Sequence, residues 1–251
     1  MSLTDICRRV GIYKSKGYSI LSTLSQFGLV EKDPETKTYF LGPNWIFLSR
    51  SVLNNMNYLE RVTPLLETLS RNTNGTAAFG LIRGSHVFVV ATREGNQDMG
   101  FRLGVGQRFP ITSGASGKAI AAFMDGVERQ NLFAKKRLYF YGDPARMDTK
   151  RLSEEIATCK DFGFAQDVGE VAPGVTMVSA PVFGLHEKII GCIILVGTFA
   201  EDRIAEYGRR VAGTARQVSH QFGAHVERVH STQVNHAWHG TEMVEERGFT
   251  P

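Results

Sequence analysis

The stretch from Leu3 to Pro43, LTDICRRVGIYKSKGYSILSTLSQFGLVEKDPETKTYFLGP, decides how the chain begins to fold. Leu3, Ile6, Cys7 and Val10 recur at helical spacing until Gly11 breaks the run. Ile20, Leu21, Leu24 and Phe27 restore the period and predict a second helix over Lys14–Phe27, with Gly28 as its stop signal. Leu29–Lys32 and Thr38–Leu41 read as short strands around the turn Asp33–Lys37. The order is helix, turn, helix and two-stranded ribbon. A DNA-reading helix-turn-helix needs a small residue where its helices cross, a glycine in the turn and an exposed polar face on the second helix. Cys7, Gly11 and the polar set from Lys14 to Ser22 supply these. Lys14, Ser15 and Lys16 open the second helix, where cations and free N–H groups meet phosphates. Tyr18, Ser19 and Ser22 are placed to face base edges, and Lys32, Lys37 and Thr38 sit on the ribbon beside the groove. A plain helical hairpin with a solvated face explains the two helices equally well; the ribbon favours the DNA reading.

Outward from this stretch, Gly42-Pro43 punctuates and Trp45–Met56 reads as an amphipathic helix with Trp45, Leu48, Val52 and Leu53 on one side. That side is a candidate dimer surface, or a contact with its own domain. Tyr58–Asn72 is a further helix, entered near Pro64. The texture then changes. Thr76–Ile82 and His86–Arg93 flank Arg83-Gly84-Ser85 as a hairpin, and Gly100–Val105 reads as a third strand. Helices follow over Ala115–Met124 and Lys150–Asp161, then strands over Phe164–Val168, Val175–Phe183 and Lys188–Gly197. A long helix over Asp202–Val229 closes the pattern. The expected organisation is α+β: a winged helix-turn-helix over 1–42, a linker helix over 43–58, an α/β domain over 59–229 and a tail over 230–251.

Composition bounds the function. With 251 residues, 42% apolar and 22% charged, the chain holds one small and one ordinary domain without staples. Cys7, Cys159 and Cys192 are far apart and match no metal or disulfide framework, which suits packed thiols in a reducing, cytoplasmic setting. Met1–Val10 carries Asp5, Arg8 and Arg9 and does not read as a signal peptide. The apolar run Ile189–Ala200 falls short of the roughly 20 residues that a bilayer span needs, so no membrane partner is expected. The net charge of +4 is concentrated at the front: Arg8, Arg9, Lys14, Lys16, Lys32, Lys37 and Arg50 outweigh Asp5, Glu31, Asp33 and Glu35.

On these residues the chain resembles the isocitrate lyase regulator family of bacterial transcription factors. Leu3–Pro43 is similar to that family's winged domain almost without gaps. FPITSGASGKAIAAF (Phe109–Phe123) and GFAQDVGEVAPGVTMVSAPVFG (Gly163–Gly184) are similar to its effector-domain motifs, so the resemblance covers the chain to about Val229. It implies a GAF-like effector domain, an operator of double-stranded DNA, a small-molecule effector, a homodimer or tetramer, and no cofactor. The family carries another helix before the helix-turn-helix, and the chain opens at that point. Ser19 stands where an Arg is usual. An alternative follows from the shortened start: a small-molecule-binding module that has lost DNA binding.

Small residues in Ser113-Gly114-Ala115-Ser116-Gly117-Lys118 allow a ligand to approach free N–H groups at a helix start, though plain helix capping explains them too. The resemblance implies effector contacts at the amides of Ala115 and Ser116, at Asp167, and at Met177, Ile194 and Val196. Met177 stands where the family has a small residue, Ile194 and Val196 where small-acid sensors present hydroxyls, and Gly184 where Asp or Asn is usual. An apolar wall cannot satisfy a small keto acid, and unpaired buried polar groups are costly. The expected effector is therefore larger, a partly apolar or aromatic acid, with Phe79, Phe88, Phe101 and Tyr139 as candidate stacking partners; pocket filling by these side chains is the competing expectation. Enzyme readings fail on the motifs: Lys118 spoils GxSxG, Thr112 and Ala119 spoil a P-loop, and Gly104-Val105-Gly106 lacks a third glycine. Asp167 and Glu170 have no nucleophile or metal set beside them, and His220 and His225 are wrongly spaced for one helical face, so no catalytic or metal residues are expected.

Overall fold

A computed structural model describes residues 1–48, 58–95, 103–135 and 137–224, in two compact units that divide between Asn57 and Tyr58. In the first unit α1 (Leu3–Val10) is capped by Ser2, whose hydroxyl accepts from the Asp5 N–H, and is closed by Gly11 at φ 72. Helix α2 (Lys14–Gln26) follows from Tyr13, which supplies no side-chain cap. Gly17 is one of only two buried residues in α2, and a Cβ built there would lie 2.3 Å from Cys7 Sγ. Its helix-propensity cost of about 1 kcal/mol is thus offset by letting α1 and α2 approach. Strands β1 (Val30–Lys32) and β2 (Tyr39–Leu41) pair antiparallel, with Glu31 opposite Phe40. The Asp33 carboxylate holds the turn by accepting from the N–H groups of Glu35 and Thr36. Residues 44–48 are helical, and Trp45 Nε1 donates to the Leu29 carbonyl. The remainder of the expected linker helix, with Val52 and Leu53, lies outside the described residues.

The second unit opens with α3 (Tyr58–Thr73), which carries Pro64 inside it. There follow β3 (Thr76–Arg83), β4 (His86–Arg93), β5 (Arg108–Pro110), α4 (Gly114–Phe123), α5 (Gly126–Phe133), α6 (Thr149–Phe162), β6 (Ala165–Val168), β7 (Thr176–Phe183), β8 (Ile189–Gly197) and α7 (Ile204–Gln221). The six strands form one antiparallel sheet in the order β5-β4-β3-β8-β7-β6. Ala78, Met177, Cys192, Ile194 and Val196 belong to the same buried cluster as α4. Strand residues alternate faces, and the intervening Phe79, Val178, Ile193 and Leu195 are buried as well. Helices α3 and α7, which contact β3 and one another, and β7 and β8 respectively, cover that second set. Double coverage explains why β7 and β8 read as continuous apolar runs.

Three expectations need correction. The strand read at Gly100–Val105 lies partly outside the described residues, and its described end is loop. Gly106, at φ 89, turns the chain; Gly106 and Gln107 already bond to Val89, and the regular ladder with β4 runs from Arg108. Helix α5 was not anticipated because its sequence, GVERQNLF, has little apolar period; Asp125 starts it by accepting from the Glu128 N–H. The closing helix begins at Ile204 and ends at Gln221, where Gly223 takes up φ 77; residues 225–251, with the expected tail, lie outside the described residues.

Candidate nucleic-acid interface and effector site

Lys14, Ser15, Lys16, Tyr18 and Ser19 are exposed along α2, and Ser22 is half-buried on the same helix. With no side-chain cap, the first N–H groups of α2 are open to an external acceptor beside two cations. Lys32 and Lys37 are exposed on the ribbon. Lys32 Nζ lies 5.5 Å from the Tyr39 ring centroid, and Lys37 Nζ donates to the Pro34 carbonyl at 2.6 Å, so Lys37 is tied to its own turn. Sequence reasoning passed over Tyr13. It stands 86% exposed at the start of α2, and the signal was there: a large aromatic in a polar turn.

In the second unit a cavity of about 330 Å³ is lined by Leu103, Gln107, Arg108, Phe109, Ser113, Ser116, Val171, Met177 and Ile194. Of the six expected effector contacts, Ser116, Met177 and Ile194 are in this lining, while Ala115, Asp167 and Val196 are not. Ala115 and Val196 are buried in the packing of α4 on the sheet. Of the candidate stacking residues, Phe79 packs on Phe222 at 5.6 Å and Phe88 beside His86 at 6.4 Å, and Phe101 lies outside the described residues. None of Phe79, Phe88 and Tyr139 lines the cavity; Phe109 does. Arg108, Gln107 and Phe109 were missed because the expected strand was placed too early. Ser113 caps α4 without a side-chain bond.

Asp167 is buried behind this wall. Its Oδ1 accepts from the N–H groups of Glu170 and Val171, and its Oδ2 has no partner. Gly114, at φ 48, leaves it room: a Cβ there would lie 2.7 Å from Oδ2. Burial raises the Asp167 pKa above the usual carboxylate value of 3.8, against the two N–H bonds that lower it. In the window between 3.8 and the raised folded value the folded state holds a proton that the unfolded state has released. Stability therefore falls with rising pH through that window. Asp167→Asn keeps the Oδ1 acceptor and is expected to flatten this fall; chemical denaturation of both proteins from about pH 4 upward checks it. Equal slopes would show that Asp167 titrates as if solvated.

The largest feature missed by sequence reasoning is the cluster around Lys118, which is 1% exposed. Its ammonium pairs with Glu155 at 2.9 Å and Glu170 at 2.8 Å, donates to the Gln166 carbonyl at 3.3 Å and lies 4.6 Å from the Tyr141 ring centroid. Arg151 pairs with both Glu155 and Glu170, the Tyr141 hydroxyl donates to Glu155 at 3.0 Å, and Arg146 donates to the Glu170 carbonyl at 3.1 Å. Burial and the Glu155 carboxylate push the Tyr141 phenol upward, so it stays a neutral donor. A lysine in the otherwise small and apolar run GASGKAIAAF was the available signal. Among the described residues no group of three His, Cys, Asp or Glu could hold a metal. Burial pushes the Cys192 thiol up to about 11, which leaves it unreactive. No helix of the described residues is long and apolar enough to cross a membrane.

The sequence model for the bacterial transcriptional regulator IclR C-terminal domain matches residues 50–220, and the model for the IclR helix-turn-helix domain matches residues 1–34. The chain belongs to the IclR family. This IclR chain is similar to the HTH-type transcriptional regulator BhcR of Paracoccus denitrificans, 25% identical over 87% of the chain and 80% of that protein. It is similar to the transcriptional repressor IclR of Escherichia coli, 23% identical over 89% of the chain and 83% of that protein. In fold it resembles an IclR transcriptional regulator from Alicyclobacillus acidocaldarius, with TM-score 0.76 and 24% identity over 87% of this chain and 89% of that one. Pseudomonas aeruginosa HmgR gives TM-score 0.70 and 23% identity over 89% and 92%. The family is one of transcriptional regulators that bind DNA through the helix-turn-helix and respond to small molecules, and the match at residues 1–34 supports the DNA-binding reading over a module that has lost it.

Proposed function

We propose that this IclR regulator works in the cytoplasm as a homodimer or tetramer on a roughly palindromic operator of a catabolic or metabolic operon. A partly apolar acid bound in the cavity of the second unit controls it, and it performs no catalysis. The observation that carries the DNA half is α2, with Lys14, Ser15, Lys16, Tyr18 and Ser19 all exposed and its first N–H groups uncapped. Lys14 and Lys16 hold phosphates and Tyr18, Ser19 and Ser22 meet base edges, while Lys32 and Lys37 follow the backbone. The effector half rests on Ser116, Met177 and Ile194 sharing one cavity of about 330 Å³, within the usual size of small-ligand sites. A single winged unit reads one half-site, so a two-fold operator calls for a two-fold protein. Trp45 and Leu48, the described residues of the apolar side expected to pair, are exposed and are candidate dimer contacts.

The test is a gel-shift and sedimentation series on the gene's upstream region. Binding is expected to weaken steeply with salt, as phosphate contacts require. Lys14→Ala and Lys16→Ala should each weaken all sequences alike and shallow the salt slope by about one unit. Tyr18→Ala and Ser22→Ala should change sequence preference, each by about 1–3 kcal/mol at the base concerned. No binding at low salt, or a monomer with and without DNA, would overturn the reading.

A further inference from the structure

The cavity carries a charge imbalance. Among its described lining residues Arg108 is a cation and none is an acid. Arg108 opens β5 and is exposed, and no ion pair occupies it among the described residues. The start of α4 is different. A buried carboxylate already sits there, because Asp167 Oδ2 lies unpartnered against Gly114. Neither Asp167 nor Ala115 is in the described lining, whereas Arg108 is, so the guanidinium rather than the helix start is what the cavity presents to an anion. Between the two ends the lining is apolar: Leu103, Phe109, Val171, Met177 and Ile194.

Resting on the reading of this cavity as the effector site, we infer that Arg108 selects the effector. The effector is a monocarboxylate with an aromatic or branched apolar body. Its carboxylate is held by the Arg108 guanidinium, and its body lies against Phe109, Val171, Met177 and Ile194. This reverses the orientation that the helix start alone would suggest. It also disfavours a dicarboxylate, whose second charge would find no second cation among the described lining residues. Gln107, Ser113 and Ser116 are the polar side chains left in the described lining for a hydroxyl on the ligand body.

The test titrates the full chain with 3-phenylpropanoate, 4-methylpentanoate, their primary amides and succinate. Three proteins are compared: the unchanged chain, Arg108→Gln and Val171→Trp. At least one of the two acids is expected to bind, and more tightly than its amide and than succinate by about tenfold or more. Arg108→Gln is expected to weaken that acid roughly 10- to 100-fold, the size of one charge-assisted bond, and to erase the difference between acid and amide. The melting temperature without ligand should not change, because Arg108 is exposed. Val171→Trp fills the cavity and should abolish binding of acid and amide alike. If Arg108→Gln leaves the acid–amide ratio intact while Val171→Trp still blocks, the anchor is wrong and the cavity reading stands. If the acid binds the folded Val171→Trp protein unchanged, the cavity reading itself fails. Should neither acid bind the unchanged chain at millimolar concentration, or should succinate bind best, the ligand class is overturned.

Discussion

Lys118→Met is expected to destabilise the second unit by about 3–5 kcal/mol, the range for removing one partner of a buried charge pair. Lys118 is 1% exposed and Glu170 carries a side chain only 9% exposed, so neither charge has water to fall back on. The cluster balances two cations, Lys118 and Arg151, against two carboxylates, Glu155 and Glu170. Methionine fills most of the lysine volume, which keeps a cavity from adding to the effect, and leaves a net negative charge in place of neutrality. The Gln166 carbonyl loses its lysine donor at the same time. Glu155→Gln should cost much less, because Glu155 is a quarter exposed and an amide can still accept from Tyr141. Urea denaturation of the full chain, followed by a probe of the second unit, measures both. A loss below about 1 kcal/mol for Lys118→Met would mean that water enters the cluster and behaves as at a surface pair. The consequence reaches the candidate effector site: Glu170 is the neighbour of Val171, which lines the cavity, and Ser116, also in the lining, sits two positions before Lys118 on α4.

Gly17→Val is expected to abolish tight operator binding and to destabilise the first unit by about 3 kcal/mol, the upper range for overpacking. The Cβ alone would stand 2.3 Å from Cys7 Sγ, and valine adds two methyl groups beyond it. Leu3 and Ile12 lie 3.5 and 3.7 Å from the same point, so the added methyl groups meet further side chains besides Cys7. The helices must separate, and α2 leaves the position in which its exposed face is presented. Valine's better helix propensity returns only a few tenths of a kcal/mol. Cys7→Ala should rescue much of the loss, because it removes the atom that collides. A double-mutant cycle is therefore expected to show coupling above about 1 kcal/mol, read from both melting and operator affinity. Additive effects would place the clash elsewhere.

The helix-turn-helix was legible because its signals are local. Gly11 ends α1, Gly28 follows α2, and the apolar period between them needs no distant partner. Strands β3, β4, β7 and β8 were legible for a related reason: long apolar runs between glycines and turn residues have few alternatives. What failed was weakly patterned. Helix α5 is held by the Asp125 cap and one buried leucine, Leu132, and β5 is three residues long and defined by its pairing with β4. Misplacing that strand concealed Gln107, Arg108 and Phe109, three of the nine described lining residues.

Pattern alone determined a helix-turn-helix front followed by an α+β domain, because helical and strand periods and glycine stops act over a few residues. The family resemblance, not the pattern, named Ser116, Met177 and Ile194 together with Ala115, Asp167 and Val196, and only the first three share the cavity lining. Only the tertiary structure decided which way Asp167 points, since its two oxygens are assigned by the β6–β7 loop folding back over it and by the space left at Gly114. Only tertiary structure could join Lys118 to Glu155 and Glu170, 37 and 52 residues away along the chain. Charges so far apart in sequence meet only when α4, α6 and the β6–β7 loop pack together, and no local propensity encodes that meeting.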